Sequence, residues 1–109
     1  MITDDDVQAA VDYLSENSGP AAKARADRIY MEEYRKVVKA TMMRENPNLS
    51  IGSQEAIAYA SERYLSHLQA MRHAIEADEQ HRWMMVAAEA KIEAWRTQQA
   101  NYRAQGRTG

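Results

Sequence analysis

The sequence predicts an all-α protein, an elongated antiparallel helical hairpin of the coiled-coil kind, with a short N-terminal helix and one very long C-terminal helix. Residues 53–105, almost half of the 109-residue chain, contain neither glycine nor proline. Because these two residues are the main helix breakers, and because the run is rich in Ala, Glu, Gln, Arg and Met, it predicts one long helix. All four glycines and both prolines lie outside this run.

Length and composition predict a single helical domain over residues 1–109. The chain is 45% hydrophobic and 28% charged, with seven Met and no Phe, so its core should be built largely from Ala and Met. The absence of Cys excludes a disulfide framework, a thiolate nucleophile and a Cys-based zinc site. With no long apolar run and an acidic N-terminus, we expect a soluble protein of the cytoplasm that does not enter a membrane.

The first segment, residues 1–19, predicts a short helix. Thr3 can cap it, and the three aspartates at 4–6 occupy the first turn, where the helix dipole favours negative charge. Apolar residues recur at helical spacing: Val7, Ala10, Val11 and Leu14. Residues 16–19 followed by Pro20 predict the end of this helix and the start of the next.

Helix two is predicted over residues 20–46, amphipathic and basic on its solvent face. Asn46, Pro47, Asn48 and then Gly52 form the strongest break in the chain. A break of this length is typical of a connection between antiparallel helices, so we expect the chain to reverse there.

The long helix is predicted over 53–105, capped by Ser53, with a kink near residue 60 because Ser61 offers a second start. Residues 106–109 are expected to form a flexible tail. Polar residues at 78–82 interrupt the apolar stripe, which predicts either a change of face or pairing with basic residues of helix two such as Arg28 or Arg35.

Helix two is too short to cover the long helix. Residues 61–105 would span about 67 Å and helix two about 39 Å, so helix two should reach only residues 61–87. The apolar residues left beyond it are Ala88, Ala90, Ile92, Ala94 and Trp95. Since the short first helix can cover only part of them, we expect a homo-oligomer, most simply a dimer.

Residues with candidate roles in binding concentrate in the C-terminal part. Trp83 and Trp95 are twelve residues apart and can flank one seam, beside which Arg96 and Arg103 share a face. The predicted partner or oligomer interface is Trp83, Met84, Val86, Ile92, Trp95, Arg96 and Arg103. The candidate nucleic-acid contacts are Lys36, Lys39, Lys91, Arg96, Arg103 and Arg107.

Catalytic chemistry has little support in the sequence. There is no Cys, no glycine-flanked Ser and no Gly-rich phosphate loop, and the three His do not form a metal-ligand pattern, so no catalytic residue, metal ligand or cofactor is predicted. The one enzyme alternative is a helical nucleotide pyrophosphohydrolase that holds Mg²⁺ with glutamates from two antiparallel helices. Its candidate ligands are Glu32, Glu33, Glu76 and Glu79.

Several short segments of the chain form a recognisable series: Ala58-Tyr59-Ala60-Ser61, Tyr64-Leu65, His67-Leu68, Arg82-Trp83, Val86-Ala87-Ala88 and the run from Ile92 to Ala100. Through them the chain, over roughly residues 22–105, resembles a family of small helical proteins encoded by tailed bacteriophages and prophages near replication and recombination genes. The most specific part of the resemblance is Trp95-Arg96-Thr97. The resemblance implies a bacterial host cell as the setting and transfers no activity to any residue.

These observations predict a non-enzymatic phage accessory protein, an oligomeric helical module that engages a phage or host protein of DNA replication, recombination or defence. The alternative is an accessory protein that binds DNA directly through the basic residues of helix two and the C-terminal helix. The Mg²⁺-dependent hydrolase is the third interpretation.

Overall fold

The computed structural model describes the backbone of residues 1–108 and the side chains of residues 1–107. Within that part the chain forms three helices and no strand: α1 (Asp4–Arg44), α2 (Ile51–Ala60) and α3 (Glu62–Thr108). The predicted all-α class is confirmed, and α3, with 47 residues, is the predicted long C-terminal helix. The tail expected at 106–109 is helical through Thr108, and Gly109 lies outside the described residues.

The start of α1 confirms the predicted cap. The hydroxyl of Thr3 accepts a hydrogen bond from the backbone amide of Asp6 at 3.1 Å, and the amide of Thr3 donates to the Asp6 carboxylate at 2.9 Å. This reciprocal pair satisfies donors that a helix start otherwise leaves unpaired. The backbone hydrogen bond from Thr3, followed by the bond from its side chain, lowers the pKa of the Asp6 carboxyl.

The break predicted at residues 16–19 is wrong, because α1 runs from Asp4 to Arg44 with Pro20 inside it. The predicted short first helix and helix two are therefore one helix of 41 residues. Gly19 does not adopt the left-handed conformation that would end the helix. Gly19 and Pro20 are both exposed, so water can satisfy the carbonyl that loses its donor at the proline.

Packing explains why α1 continues through this stop signal. A proline inside a helix costs about 3 kcal/mol relative to alanine. On either side of it, Ala10 and Ala24 are buried against other parts of the chain. The side-chain amide of Asn17 also donates to the carbonyl of Tyr13 at 2.9 Å, which ties down the turn before the proline. Tertiary contacts thus override the local propensity of this segment.

The turn predicted around Pro47 is confirmed, since α1 ends at Arg44 and α2 starts at Ile51. The predicted cap at Ser53 is wrong. The N-cap is Ser50, whose hydroxyl accepts a hydrogen bond from the Ser53 amide at 3.2 Å. Gly52 lies inside the first turn without a positive φ, so the glycine that was interpreted as part of the break belongs to the helix.

The kink predicted near residue 60 is a complete break between α2 and α3. Ser61 has an extended conformation, with φ −69° and ψ 146°, and its hydroxyl accepts a hydrogen bond from the amide of Tyr64 at 3.2 Å. Ser61 therefore caps α3, as its position before Glu62 suggested. The rings of Tyr59 and Tyr64 meet edge to face across this break, with centroids 5.2 Å apart.

The chain forms two compact units where one domain was predicted. The terminal unit consists of Met1–Ala21 and Gln80–Gly109, and the turn unit consists of Ala22–Glu79. In both, α1 and α3 run antiparallel, because residues early in α1 contact residues late in α3 and the reverse. The antiparallel pairing predicted from the Pro47 turn is confirmed within each unit.

Among the buried and half-buried residues of α3, one series follows the heptad spacing of three and four. It consists of Tyr64, His67, Met71, Ala74, Asp78, His81, Met85, Ala88, Ile92, Trp95 and Gln99. Five further residues beside this series are half-buried: Leu68, Ala70, Ile75, Glu79 and Gln98. This spacing is the pattern of coiled coils, in which every such residue faces the partner helix. The coiled-coil character that the sequence predicted is therefore seen in the burial along α3.

The core that these helices form is thin. Among the described residues, the buried hydrophobic ones are Ala10, Ala24, Val38, Ala58, Tyr64 and Ala88. Four of these six are alanines, which allow two helices to approach closely but bury little apolar area. Fourteen large hydrophobic side chains of the described part are exposed instead.

Candidate interaction surface

The C-terminal part of α3, predicted to lack an intrachain partner, is covered by the N-terminal residues of the same chain. The backbone amide of Ile2 donates to Gln98 Oε1 at 3.1 Å, and Gln98 Nε2 donates back to the Ile2 carbonyl at 2.8 Å. The indole of Trp95 donates to Asp4 Oδ1 at 3.1 Å, and Ala88 is only 6% exposed. The predicted mismatch in helix length was wrong because α1 has 41 residues.

This contact changes the assignment of the predicted interface residues. Ile92 and Trp95 are half-buried within the terminal unit and follow the heptad spacing, so they belong to its own core. Arg96 is exposed and pairs with Glu93, three residues earlier on α3, at 2.9 Å. Arg103 is exposed as well.

The other three predicted interface residues lie on the surface of the terminal unit. Trp83 is 60% exposed, Met84 52% and Val86 44%. The Arg82 guanidinium lies 5.4 Å from the centroid of the Trp83 ring, within the range of a cation–π contact.

Trp83 begins an apolar stripe on the side of α3 that faces away from the heptad positions. We call this stripe the outer face, and it consists of Trp83, Val86, Ala87, Ala90, Ala94, Thr97 and Ala100, all of them exposed. Counted from Trp83, the other members follow after 3, 4, 7, 11, 14 and 17 residues, which places them on one side of the helix. Within the terminal unit, α3 is therefore apolar on two faces.

Sequence reasoning missed this division because it assigned all apolar residues from Ala88 to Trp95 to one stripe. Ala88 and Trp95 follow the heptad spacing and contribute to the core, whereas Ala90 and Ala94 lie on the outer face. The signal was present in the sequence: Ala90 and Ala94 are seven and eleven residues after Trp83, at helical spacing.

Two shallow depressions flank Met84 within the terminal unit. One has a volume of about 220 Å³ and is lined by Ala9, Ala10, Tyr13, Met84, Ala87, Ala88 and Lys91. The other has a volume of about 330 Å³ and is lined by Tyr13, Gln80, His81 and Met84. Sites for small molecules usually measure roughly 300–1,000 Å³ and enclose most of the ligand, so the first depression is below this range and the second is at its lower end.

The six candidate nucleic-acid contacts are divided between the two units. Lys36 and Lys39 belong to the turn unit, and the other four belong to the terminal unit. Lys36 pairs with Glu33 at 3.2 Å. Lys39 pairs with Glu55 at 3.2 Å, and hydrogen bonds to Tyr59, then to Glu55, raise its pKa. With Arg96 paired to Glu93, three of the six cations already lie beside a carboxylate.

The four glutamates of the hydrolase interpretation are not arranged around an empty centre. Arg28 occupies the space between two of them: its Nε lies 3.0 Å from Glu32 and its Nη1 lies 3.1 Å from Glu79. Glu33 is tied to Lys36, and Glu76 is exposed. Across the residues that the structure describes, no group of three or more His, Asp or Glu side chains is placed to hold a metal ion.

The Arg28 cluster is instead the pairing predicted for the polar interruption at 78–82. Arg28 Nη1 lies 3.1 Å from Asp78, which is only 9% exposed. Hydrogen bonds to Glu32, Glu79 and Asp78 raise the pKa of Arg28. Because Asp78 occupies a heptad position, this ion pair lies where α1 and α3 face each other in the turn unit.

Over the described residues, none of the helices is both long enough and apolar enough to cross a lipid bilayer. The chain matches no protein-family model, no curated protein and no solved structure.

Proposed function

We propose that this chain is a non-enzymatic protein-binding module that engages its partner through the outer face of α3. The observation that carries the proposal is Trp83, a large aromatic side chain that is 60% exposed at the start of an apolar stripe. Contiguous apolar surface of this kind is typical of sites that bind other proteins. Tryptophan is also among the residues that contribute most to binding energy at protein interfaces.

The free energy available from apolar contact on this surface favours a protein partner over one bound through charge. An aromatic side chain offers about 150–250 Å² of surface, so covering the exposed part of Trp83 would contribute about 3 kcal/mol. Val86 and Met84, both close to half exposed, add to this beside it. Exposed ion pairs such as Arg96–Glu93 contribute about 0–1 kcal/mol. Apolar contact is thus the larger source of affinity on this surface.

The resemblance of residues 22–105 to phage-encoded helical proteins supports a partner from DNA replication, recombination or defence, supplied by the phage or by its bacterial host. In that setting the chain acts as an accessory protein in the host cytoplasm. It alters what its partner does and carries out no bond-making step itself.

The test is affinity capture from infected cells with three forms of the chain. The wild type should recover a specific partner, and Trp83→Glu should lose it, because the charge would be buried in the contact. Ser66→Glu is the matched control, since it adds the same charge at an exposed position of α3 outside the outer face. Recovery of the same proteins by the wild type and by Trp83→Glu would refute the proposal.

Direct DNA binding is the second candidate, and one observation favours it. Arg103 and Arg107 are exposed, four residues apart on one side of α3, near its C-terminal end. Phosphate contacts make affinity fall steeply as salt rises. If Arg103→Gln together with Arg107→Gln reduces the salt dependence of measured DNA binding, this candidate replaces the first. A protein partner alone predicts no DNA binding at physiological salt.

A further inference from the structure

We infer that residues 1–19 form a releasable arm, which leaves α3 as one cooperative unit while the turn unit stays folded. Release uncovers the heptad positions of α3 in the terminal unit, where Ala88, Ile92 and Trp95 lie. The inference goes beyond the proposed function, because the outer face lies on the other side of α3 and is exposed with the arm in place.

Pro20 gives the arm a boundary within α1. Proline has no backbone amide, so the carbonyl of Glu16, four residues earlier, loses its usual helical donor. The boundary between the two compact units, after Ala21, lies next to this proline. Unfolding that starts at the beginning of α1 therefore has a place to stop.

The arm packs against α3 with little buried apolar surface. In the described part of the terminal unit, the buried hydrophobic residues are Ala10 and Ala88, and each contributes a single methyl group. The turn unit buries Val38 and Tyr64 besides two alanines. Because hydrophobic stabilisation scales with buried apolar area, the arm is held less strongly than the part of α1 after Pro20.

Gaps in the packing weaken the contact further. The two depressions beside Met84, of about 220 and 330 Å³, are both lined by Tyr13 of the arm and by residues of α3. Side chains that line a gap lose dispersion contacts that a close-packed interior would give them. Ala10 and Ala88 both line the first depression, so the two buried alanines border unfilled space.

Hydrogen bonds join the arm to α3 at the tip of the arm. The backbone of Ile2 forms two with Gln98, and the indole of Trp95 donates to Asp4. At the other end of the arm, the half-buried side chain of Asn17 donates to a carbonyl of its own helix. An isolated helix as short as the arm is marginal in water. Loss of the tip contacts and loss of the helix therefore belong to one event.

Gradual fraying from the N-terminus is the alternative to release as one unit. Fraying gives each amide its own stability, which rises steadily from the start of the helix toward Pro20. Release as one unit gives all amides of the arm the same stability. The reciprocal hydrogen bonds between Thr3 and Asp6 hold the first turn closed, which favours release over fraying.

Hydrogen exchange of the wild-type chain, followed by NMR, tests the boundary and the cooperativity. The amides of residues 7–18 should share one protection factor, at least about tenfold below that of residues 28–38 in the same helix. Protection that rises steadily from residue 7 to residue 18 would indicate fraying and overturn the inference. Equal protection on both sides of Pro20 would also overturn it, because α1 would then open only as a whole.

Thiol labelling tests the same event at side chains, and the chain has no native Cys. Ala10→Cys in the arm and Ala88→Cys on α3 should be labelled at the same rate, since one release exposes both. Ala24→Cys is the matched control, a buried alanine of α1 beyond Pro20, and should be labelled at least about tenfold more slowly. If Ala10→Cys or Ala88→Cys is labelled as slowly as Ala24→Cys, the inference is overturned.

Removal of the tip contact tests whether the arm acts as one unit. Gln98→Ala loses both hydrogen bonds to Ile2, so release should become about fivefold more frequent. The faster exchange should extend to residues 14–18, at the far end of the arm. Gln69→Ala, which changes an exposed glutamine of α3 in the turn unit, is the matched control and should leave the arm unchanged. An effect of Gln98→Ala that is confined to the first turn of α1 would contradict release as one unit.

Discussion

The two compact units use the same pair of helices in different ways. The turn unit is held by polar contacts between helices: Arg28 bridges to Asp78 and Glu79, and the ring of His67 contacts the Met31 carbonyl at 2.7 Å. The terminal unit is held by close packing of alanines and by polar contacts near the chain's start. The comparison teaches that ion pairs join α1 to α3 in the turn unit, whereas hydrogen bonds of Gln98 and Trp95 join the chain's start to α3 in the terminal unit. Both units present large apolar side chains to solvent.

The largest effect is expected where the turn unit buries its one large aromatic residue. Tyr64 is 8% exposed, so Tyr64→Ala should reduce the free energy of unfolding by about 3 kcal/mol. Tyr30→Ala, in the same unit, removes a ring that is 64% exposed and stacks on Tyr34, and it should cost less than about 1 kcal/mol. Urea denaturation measures both. If both variants lose the same free energy of unfolding, burial of Tyr64 does not contribute to stability as expected.

The polar contacts of the turn unit should have the next largest effect. Asp78→Asn weakens the bond to Arg28, which keeps Glu32 and Glu79 and is itself partly exposed, so the expected loss of stability is about 1–2 kcal/mol. Glu76→Gln is the matched control on the same helix, exposed, with an expected change below about 0.5 kcal/mol. Thermal unfolding followed by circular dichroism compares them. An Asp78→Asn variant as stable as the control would show that this ion pair does not stabilise the turn unit.

The continuity of α1 predicts a stabilising substitution. Gly19 lies in the helix without a positive φ, and Pro20 directly after it lacks the amide that would donate to the helix. Pro20→Ala restores that donor and should therefore raise the free energy of unfolding by about 1 kcal/mol. If the helix ended at this glycine, as the sequence alone suggested, the substitution would destabilise the protein instead. The midpoint of urea unfolding decides between the two.

The smallest effect is expected at the start of α1 and depends on pH. The pKa of Asp6 is lowered in the folded protein from its ordinary 3.8, so its hydrogen bonds stabilise the fold above that pH. The contribution is lost as pH falls below 3.8 and the carboxyl becomes protonated. The melting temperature of the wild type should exceed that of Asp6→Asn at neutral pH. If the two melting temperatures differ by the same amount in acid, the Asp6 carboxylate is not the cause of the difference.

Much of the fold could be predicted because its signals are local. The cap at Thr3, the turn at Pro47 and the break at Ser61 are each encoded within a few residues. The pairing of Arg28 with residues 78 and 79 followed from a polar interruption in an apolar stripe. Each of these predictions needed only spacing and side-chain chemistry.

The remaining features depend on contacts that are distant in sequence. Gly19 and Pro20 are a strong local stop signal, and only packing of α1 on both sides of them keeps the helix intact. Because α1 is one continuous helix, Asp4 at its start reaches Trp95 near the end of α3. The outer face was missed because alanine contributes to core and surface alike, so Ala88 and Ala90 differ only in the direction that they face.

The most direct test of the central claim is the accessibility of Trp83 with and without the partner recovered by affinity capture. In a Trp95→Phe variant, Trp83 is the only tryptophan, so its fluorescence and its quenching by acrylamide report on the outer face alone. In the free chain the indole should be readily quenched, as its 60% exposure requires. When the partner is added, we predict a blue shift and protection from quenching. Trp83 that stays equally accessible in the complex would contradict binding through the outer face.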